Sequence, residues 1–176
     1  MVLSAFFVEP NRSARCLMGN HFALAMSGSL YRKQFLPISP AEAWDFFSSP
    51  ANLQTITPPA LDFRITNQPG SKAYPGQIIT YRIRPLWGID MEWVTEITQL
   101  LEGQYFIDTQ LKGPYQFWHH EHRFEAAEGG VVMEDKLYYG LPLGILGEWA
   151  RRLFIDSRVE AIFAYREKVL ANRFGR

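Results

Sequence analysis

The chain has 176 residues, and its 18 basic and 18 acidic side chains give a formal net charge of zero at pH 7. Hydrophobic residues make up 47% of the chain and charged residues 20%, which is typical of one globular domain and excludes long disorder. No basic run alternates with aromatic residues, so nucleic acid is not an expected partner.

Cysteine and hydropathy restrict the class of protein further. The single cysteine, Cys16, has no partner for an internal disulfide, which excludes a small secreted scaffold held by disulfides. No apolar run approaches the roughly 20 residues of a membrane span, and the first ten residues lack the basic region of a signal peptide. We therefore predict a cytoplasmic protein without a membrane span.

Residues 1–27 show no persistent helical or strand periodicity, and we interpret them as an extension outside the fold. Met18 and Met26 lie just before the first convincing strand, so Met1, Met18 and Met26 are all candidate starts. The predicted domain spans residues 28–176.

The first elements are a strand and two short helices. Alternating polarity predicts a strand over Ser29–Leu36. Ser39 is placed to cap a helix, Pro40 suits its first turn, and Glu42 stands where a capping box has its acid. A second short helix is predicted over Ala51–Ile56.

A series of strands separated by glycine and proline follows. Short spacers join consecutive strands, which indicates antiparallel hairpins rather than helical crossovers. The predicted strands are Leu61–Thr66, Gln77–Arg84, Met91–Leu101, Tyr105–Leu111, Tyr115–Ala126 and Val131–Leu141.

After Gly144 the apolar period becomes helical and predicts one long C-terminal helix. Its predicted apolar stripe is Leu146, Trp149, Leu153, Ile155, Val159, Ile162, Phe163, Val169 and Leu170. The charged residues predicted to lie mostly off this stripe are Arg151, Arg152, Arg158, Glu160, Arg166, Glu167 and Lys168.

A polar cluster lies within the last predicted hairpin. Strand alternation places Trp118, His120, His122 and Phe124 on one face, and His119, Glu121 and Arg123 on the other. On the return strand the apolar face consists of Met133, Asp135, Leu137, Tyr139 and Leu141.

Asp135 is the one charge on that apolar face. A turn at Gly129-Gly130 places it opposite or diagonal to His122. A carboxylate among apolar side chains costs several kcal/mol unless it is paired, and histidine is a suitable partner. Either the pair is structural, or the face lines a pocket that needs polar groups.

Two segments carry a resemblance to a known family. FLPISPAEAWDFF at residues 35–47 resembles the opening of the START-like (SRPBCC) superfamily, where a first strand meets a helix. GPYQFWHHEHRF at residues 113–124 resembles a signature of bacterial ligand-binding SRPBCC proteins with a W-x-H-x-H-x-F core. Asp135, Tyr139 and the turn at residues 141–144 also match, and the resemblance covers about residues 30–174.

This resemblance implies an α+β helix-grip fold. A curved antiparallel sheet of six or seven strands would surround the long C-terminal helix, with two short helices after the first strand and a cavity between sheet and helix. Members of the superfamily bind lipids, polyketides, quinones or plant hormones, and a minority catalyse cyclisation or dehydration. The chain is similar to their polyketide cyclase/dehydrase-like, ligand-binding members.

We therefore predict a protein that binds a small hydrophobic ligand, either lipid, isoprenoid or polyketide-like, between sheet and helix. The partner is a small apolar molecule, no cofactor is expected, and a protein partner is left open. The expected ligand contacts are Met91, Trp93, Trp118, His120, His122, Phe124, Asp135 and Tyr139.

An enzyme is the main alternative to a binding protein. His120 or His122 would act as general base with Asp135 orienting the ring, as in a cyclase or dehydratase that uses no metal. No nucleophile motif is present.

Two further interpretations are weaker. Strand alternation leaves only His120, His122 and Asp135 to converge on a metal, and we favour a hydrogen-bonded cluster and assign no metal ligands. A tip at Trp87 would dock a protein partner, although a simple turn is the preferred interpretation there.

We expect deletion of residues 1–26 to change the thermal midpoint by only a few degrees, because this segment lacks the periodicity of a packed element. Thermal unfolding of the two chains measures the difference. A drop beyond about 8 °C would show that the segment packs on the fold.

Overall fold

The computed structural model describes residues 28–84 and 88–175. The predicted N-terminal extension and the tip at Trp87 lie outside the described residues. The domain boundary between residues 27 and 28 therefore stays a prediction.

Within the described residues, one antiparallel sheet of seven strands forms the body of the protein. Its strands are β1 Gly28–Leu36, β2 Arg64–Ile65, β3 Ile78–Ile83, β4 Met91–Leu101, β5 Tyr105–Lys112, β6 Phe117–Ala127 and β7 Gly130–Gly140. They are arranged in the order β1-β7-β6-β5-β4-β3-β2. Two register shifts between β4 and β5 are bulge-like irregularities, and such irregularities bend a sheet.

The helices lie at the start and at the end of this domain. Helix α1, Pro40–Phe47, begins as predicted, with the Ser39 hydroxyl accepting a hydrogen bond from the backbone N–H of Glu42. Two 3-10 turns follow at Pro50–Gln54 and Pro59–Leu61. The C-terminal helix consists of α2 Gly144–Ala150, a π-helical turn Arg151–Ile155, and α3 Asp156–Phe174.

These elements confirm the predicted α+β helix-grip fold. The largest strand error concerns Leu61–Thr66, of which only β2 at Arg64–Ile65 is extended and paired. Pro59–Leu61 forms a helical turn instead, and Asp62 has a left-handed φ of 45°, which ends that turn and delays the strand.

The predicted apolar stripe of the C-terminal helix is wrong at Leu146, Trp149 and Leu153, which are exposed, although Ile155 is buried as predicted. Gly147, Arg151 and Ile155 face inward in the first half of the helix, while large apolar side chains face outward. The exposed set, with 62–79% of each residue accessible, is Leu143, Ile145, Leu146, Trp149, Leu153 and Phe154. None of the described helices combines the length and the apolar character needed to cross a membrane.

An ion-pair network explains this inversion. Arg151 is buried, and its guanidinium donates to Glu148 Oε1 and to Asp156 Oδ1, each at 2.7 Å. The Tyr139 hydroxyl donates to the same Asp156 oxygen at 2.7 Å, which ties the end of β7 to the helix. Gly147 lets the helix approach the backbone at Pro142, because a Cβ atom there would lie 2.0 Å from the Pro142 carbonyl oxygen.

Two apolar clusters lie between the sheet and the helices. In the first, Trp44 of α1 meets Phe106 and Phe124 edge to face, with ring centroids 6.1 and 5.9 Å apart. In the second, Trp118 and other sheet residues pack against Phe163 and neighbouring residues of α3. The histidines of β6 lie between these clusters. His122 stacks on Phe106 of the first cluster, and His120 meets Trp118 and Phe163 of the second edge to face.

Candidate functional site

Sheet register assembles the polar cluster. His122 of β6 is paired with Asp135 of β7, which confirms the predicted phase of this hairpin. On the other side of β6, Asp108 of β5 is paired with His120. A carboxylate therefore flanks the two histidines on each neighbouring strand.

Asp135 is 1% exposed, and its Oδ1 atom is the centre of several contacts. The Nε2 atom of His120 lies 2.9 Å from it in hydrogen-bond geometry. The Nδ1 atom of His122 lies 3.0 Å away, out of line for a hydrogen bond. Arg166 of α3 donates from Nη1 at 3.3 Å.

Asp108 faces the other ring nitrogens. Its Oδ2 atom lies 3.0 Å from His122 Nε2, in hydrogen-bond geometry, and 3.4 Å from His120 Nδ1. The Asp108 side chain is 17% exposed, whereas both histidines are buried. Each imidazole is thus held between the same two carboxylates.

These contacts set the charge of the cluster. Burial raises the pKa of the Asp135 carboxyl, but the charge of Arg166 and the close contacts with both histidines outweigh it and bring the pKa well below its ordinary value. Burial likewise opposes ionisation of Asp108, but its close contacts with His120 and His122 lower its pKa. Burial lowers the pKa of His120, yet its close contacts with both carboxylates raise it above the ordinary histidine value.

The cluster borders a cavity of about 140 Å³ between the sheet, the short helices after β1 and the C-terminal helix. Most of the lining is aliphatic or aromatic, including residues of α1 and the first 3-10 turn. The charged and imidazole side chains of the lining are Asp108, His120, His122 and Arg166.

Four of the eight expected ligand contacts line the cavity, namely Trp93, Trp118, His120 and His122. The other four lie elsewhere. Phe124 and Met91 belong to the first apolar cluster, and Tyr139 packs in the second and binds Asp156. Asp135 is not part of the lining, but it contacts three residues that are, His120, His122 and Arg166.

Sequence reasoning missed Asp108 and Arg166. Arg166 was expected off the apolar stripe, but it is 9% exposed because Asp135 accepts its hydrogen bond inside the fold. The pairing of Asp108 with His120 requires the register of the hairpin around Gly113-Pro114, which the sequence pattern did not specify.

Four residues of the cavity lining carry a buried side-chain polar atom without a hydrogen-bond partner among the described residues. The atoms are Ser48 Oγ, Trp93 Nε1, His122 Nδ1 and Arg166 Nε. Such atoms are exceptional, because buried polar groups are nearly always satisfied in folded proteins.

Comparison with solved structures supports the fold. Protein CV1439 from Chromobacterium violaceum superposes with a TM-score of 0.63 at 12% identity, covering 84% of this chain and 97% of its own. Major latex-like protein 151 from Panax ginseng gives 0.62 at 10% identity, covering 85% and 98%. Ara h 8.0201 gives 0.55 at 16% identity, covering 83% and 99%.

The structural likeness confirms the fold that the START-like resemblance implied. No protein-family model matches the sequence, and no curated protein matches it. At such low identities the likeness concerns the fold alone, so function has to be inferred from the site itself.

Asp135→Asn should lower the free energy of unfolding by about 2–4 kcal/mol, because Arg166 and the histidines lose a charged partner in a buried site. Urea denaturation measures the loss. Glu134→Gln is the matched control, since its partner Lys33 is largely exposed and the change should cost under about 1 kcal/mol. Equal losses in the two variants would contradict the role of Asp135.

Stability should fall as the pH rises through the folded-state pKa of His120. Because that pKa is raised, the stability gained from protonated His120 is fully present below the unfolded-state pKa of about 6.5. This stability is lost as the pH rises above the folded-state pKa. The pKa values of Asp108 and Asp135 are lowered, so their contribution is present above about 3.9 and lost as the pH falls through their folded values.

The measurement is the free energy of unfolding between pH 5 and pH 9, in steps of about one unit. Asp108→Asn removes one of the two groups that raise the pKa of His120 and should reduce the alkaline loss of stability. His119→Gln, on the opposite face of β6, should keep it. An unchanged slope in Asp108→Asn would contradict the prediction.

Proposed function

We propose that this protein binds a small, mostly apolar ligand with one or two oxygen acceptors in the cavity between sheet and C-terminal helix. The observation that carries the proposal is a mostly apolar lining whose residues include a few with buried, unsatisfied donors. Ligand pockets commonly have this composition, since apolar surface supplies affinity and a few polar groups orient the ligand.

The apolar part of the lining comes from three directions. Phe46 and Phe47 end α1, Ile79 and Ile97 come from neighbouring strands, and Phe163 comes from α3. These residues belong to separate elements that converge on one space, so their side chains form a wall. A ligand held there would be removed from water on most sides, which favours an apolar molecule.

The polar part of the lining is rich in donors. Ser48, Trp93 and Arg166 line the cavity, and each carries a buried polar atom without a partner among the described residues. The indole and guanidinium groups are donors only, so they select acceptors such as carbonyl, hydroxyl or carboxylate oxygen. Satisfying one such donor is worth about 0.5–1.5 kcal/mol net.

The volume limits the size of the ligand. An engineered protein cavity of about 150 Å³ takes up benzene, and the cavity here is about 140 Å³. This size favours a compact ring system, polyketide-like or the head of an isoprenoid, over a lipid chain enclosed along its full length.

The proposal needs no cofactor, and its partner is the small molecule alone. The cytoplasmic location stays a prediction.

A cyclase- or dehydratase-type activity is the second candidate. The observation that favours it is that His120, with a raised pKa, lines the cavity beside Asp108. Such a pair suits proton transfer to or from a bound ligand. Asp108→Asn separates the candidates, because an enzyme would lose turnover while retaining ligand uptake, and a binding protein would show no turnover in either form.

We predict that the full chain binds 1-naphthol saturably at one molecule per chain, and naphthalene more weakly. Ile79→Phe, which places a larger side chain in the cavity, should weaken 1-naphthol binding by at least about 10-fold, equivalent to 1.4 kcal/mol. Isothermal titration calorimetry measures both ligands.

Ile78→Phe is the matched control, because Ile78 is adjacent on β3 but exposed and outside the cavity lining. It should bind 1-naphthol like the wild type. Absence of saturable binding of either compound to the wild type, or equal losses in both variants, would overturn the proposed function. Circular dichroism confirms that each variant is folded.

A further inference from the structure

Three potential ligand atoms converge where the polar cluster meets the cavity. They belong to Asp108, His120 and His122, one from each residue, and all lie within 4.8 Å of one another. The ring nitrogens closest to Asp108 are His120 Nδ1 and His122 Nε2. All three side chains line the cavity, so a group held among these atoms would face the ligand space.

We propose that Asp108, His120 and His122 form a binding site for a divalent transition-metal ion of the zinc type, with a remaining coordination position open to the cavity. Two imidazole nitrogens and one carboxylate oxygen suit Zn²⁺ and its neighbours in the first transition row. Three protein ligands and an open position are the arrangement of a reactive site rather than a purely structural one.

The spacing of the atoms fits one shared ion. Asp108 Oδ2 lies 3.0 Å from His122 Nε2 and 3.4 Å from His120 Nδ1. Ligands bound at about 2.0–2.2 Å around a tetrahedral ion are roughly 3.3–3.6 Å apart. The two separations from Asp108 lie within a few tenths of an ångström of this range.

The atoms behind the histidines complete a metal-site geometry. A histidine that binds a metal through one nitrogen usually presents the other N–H to a carboxylate, which fixes the ring. Here His120 Nε2 lies 2.9 Å from Asp135 Oδ1 in hydrogen-bond geometry, and His122 Nδ1 lies 3.0 Å from the same oxygen without that alignment. Asp135 in turn accepts a hydrogen bond from Arg166.

Packing holds the two rings in this orientation. His122 stacks on Phe106 with ring centroids 4.2 Å apart, and His120 lies edge-on against Phe163 at 5.3 Å. Both histidines are buried, so turning either ring away from Asp108 requires movement of aromatic neighbours. The two inner nitrogens are therefore pre-organised on the side of Asp108.

The competing explanation is a hydrogen-bonded cluster that binds no ion. It accounts for the contacts of His120 and Asp135, and a bound ion differs from it in using His120 Nδ1, His122 Nε2 and Asp108 together. The metal site does not depend on the apolar ligand, so failure of naphthol binding and failure of metal binding are separate results.

The test is a titration of the full chain with Co²⁺ after chelation and desalting. We expect visible absorption bands of nitrogen-bound Co²⁺ that saturate at one ion per chain and disappear when Zn²⁺ is added. Asp108→Asn should weaken Co²⁺ binding by about 100-fold or more, and Asp135→Asn by about 10- to 100-fold. Zn²⁺ should raise the thermal midpoint of the wild type and leave that of Asp108→Asn unchanged.

Two variants locate the ion. His119→Gln alters the adjacent histidine on the opposite face of β6, and Cys16→Ser with His21→Gln removes the cysteine and the remaining histidine of the chain. Both should bind Co²⁺ like the wild type. Absence of saturable binding, an unchanged affinity in folded Asp108→Asn, or loss of binding in either control would overturn the proposal.

Discussion

The buried charge of Asp135 is the interaction on which the geometry of the site depends. An isolated carboxylate at this depth would cost several kcal/mol, and the fold offsets that cost with Arg166 from α3 and with the two histidines of β6. Because these partners come from the helix and from the sheet, one charge joins the two layers. The same contacts orient both imidazoles toward Asp108 and the cavity.

Much of this arrangement follows from strand alternation. The period of two places His120, His122 and Asp135 on the inner face whatever the details of the fold, and the short Gly129-Gly130 turn sets the partner of His122. Alternation gives no such answer for Asp108, because Phe106 and Ile107 on successive positions of β5 are both buried. A strand that is apolar on both faces does not reveal which face its polar residue joins.

The C-terminal helix shows a different limit of sequence reasoning. A hydrophobic stripe predicts the inward face only where burial of apolar area decides the orientation, as it does for Val159, Phe163 and Leu170. Arg151 faces inward with Glu148 and Asp156 of the same helix, an ion-pair network that a search for apolar residues does not detect. Arg166 faces inward because its partner Asp135 lies on β7. An ion-pair partner that is distant in sequence leaves no periodic signal in the helix itself.

The pairing of β1 with β7 has a consequence for how the protein is made. Leu36 of β1 pairs with Val131 of β7, so about 100 further residues are synthesised before the neighbour of β1 in the sheet is available. At about 5–20 residues per second this interval is roughly 5–20 s on the ribosome. Such distant pairing also slows folding, since a long loop must close before the contact is gained. Arg166 emerges later still, so the charged centre closes only after nearly the whole chain has left the ribosome.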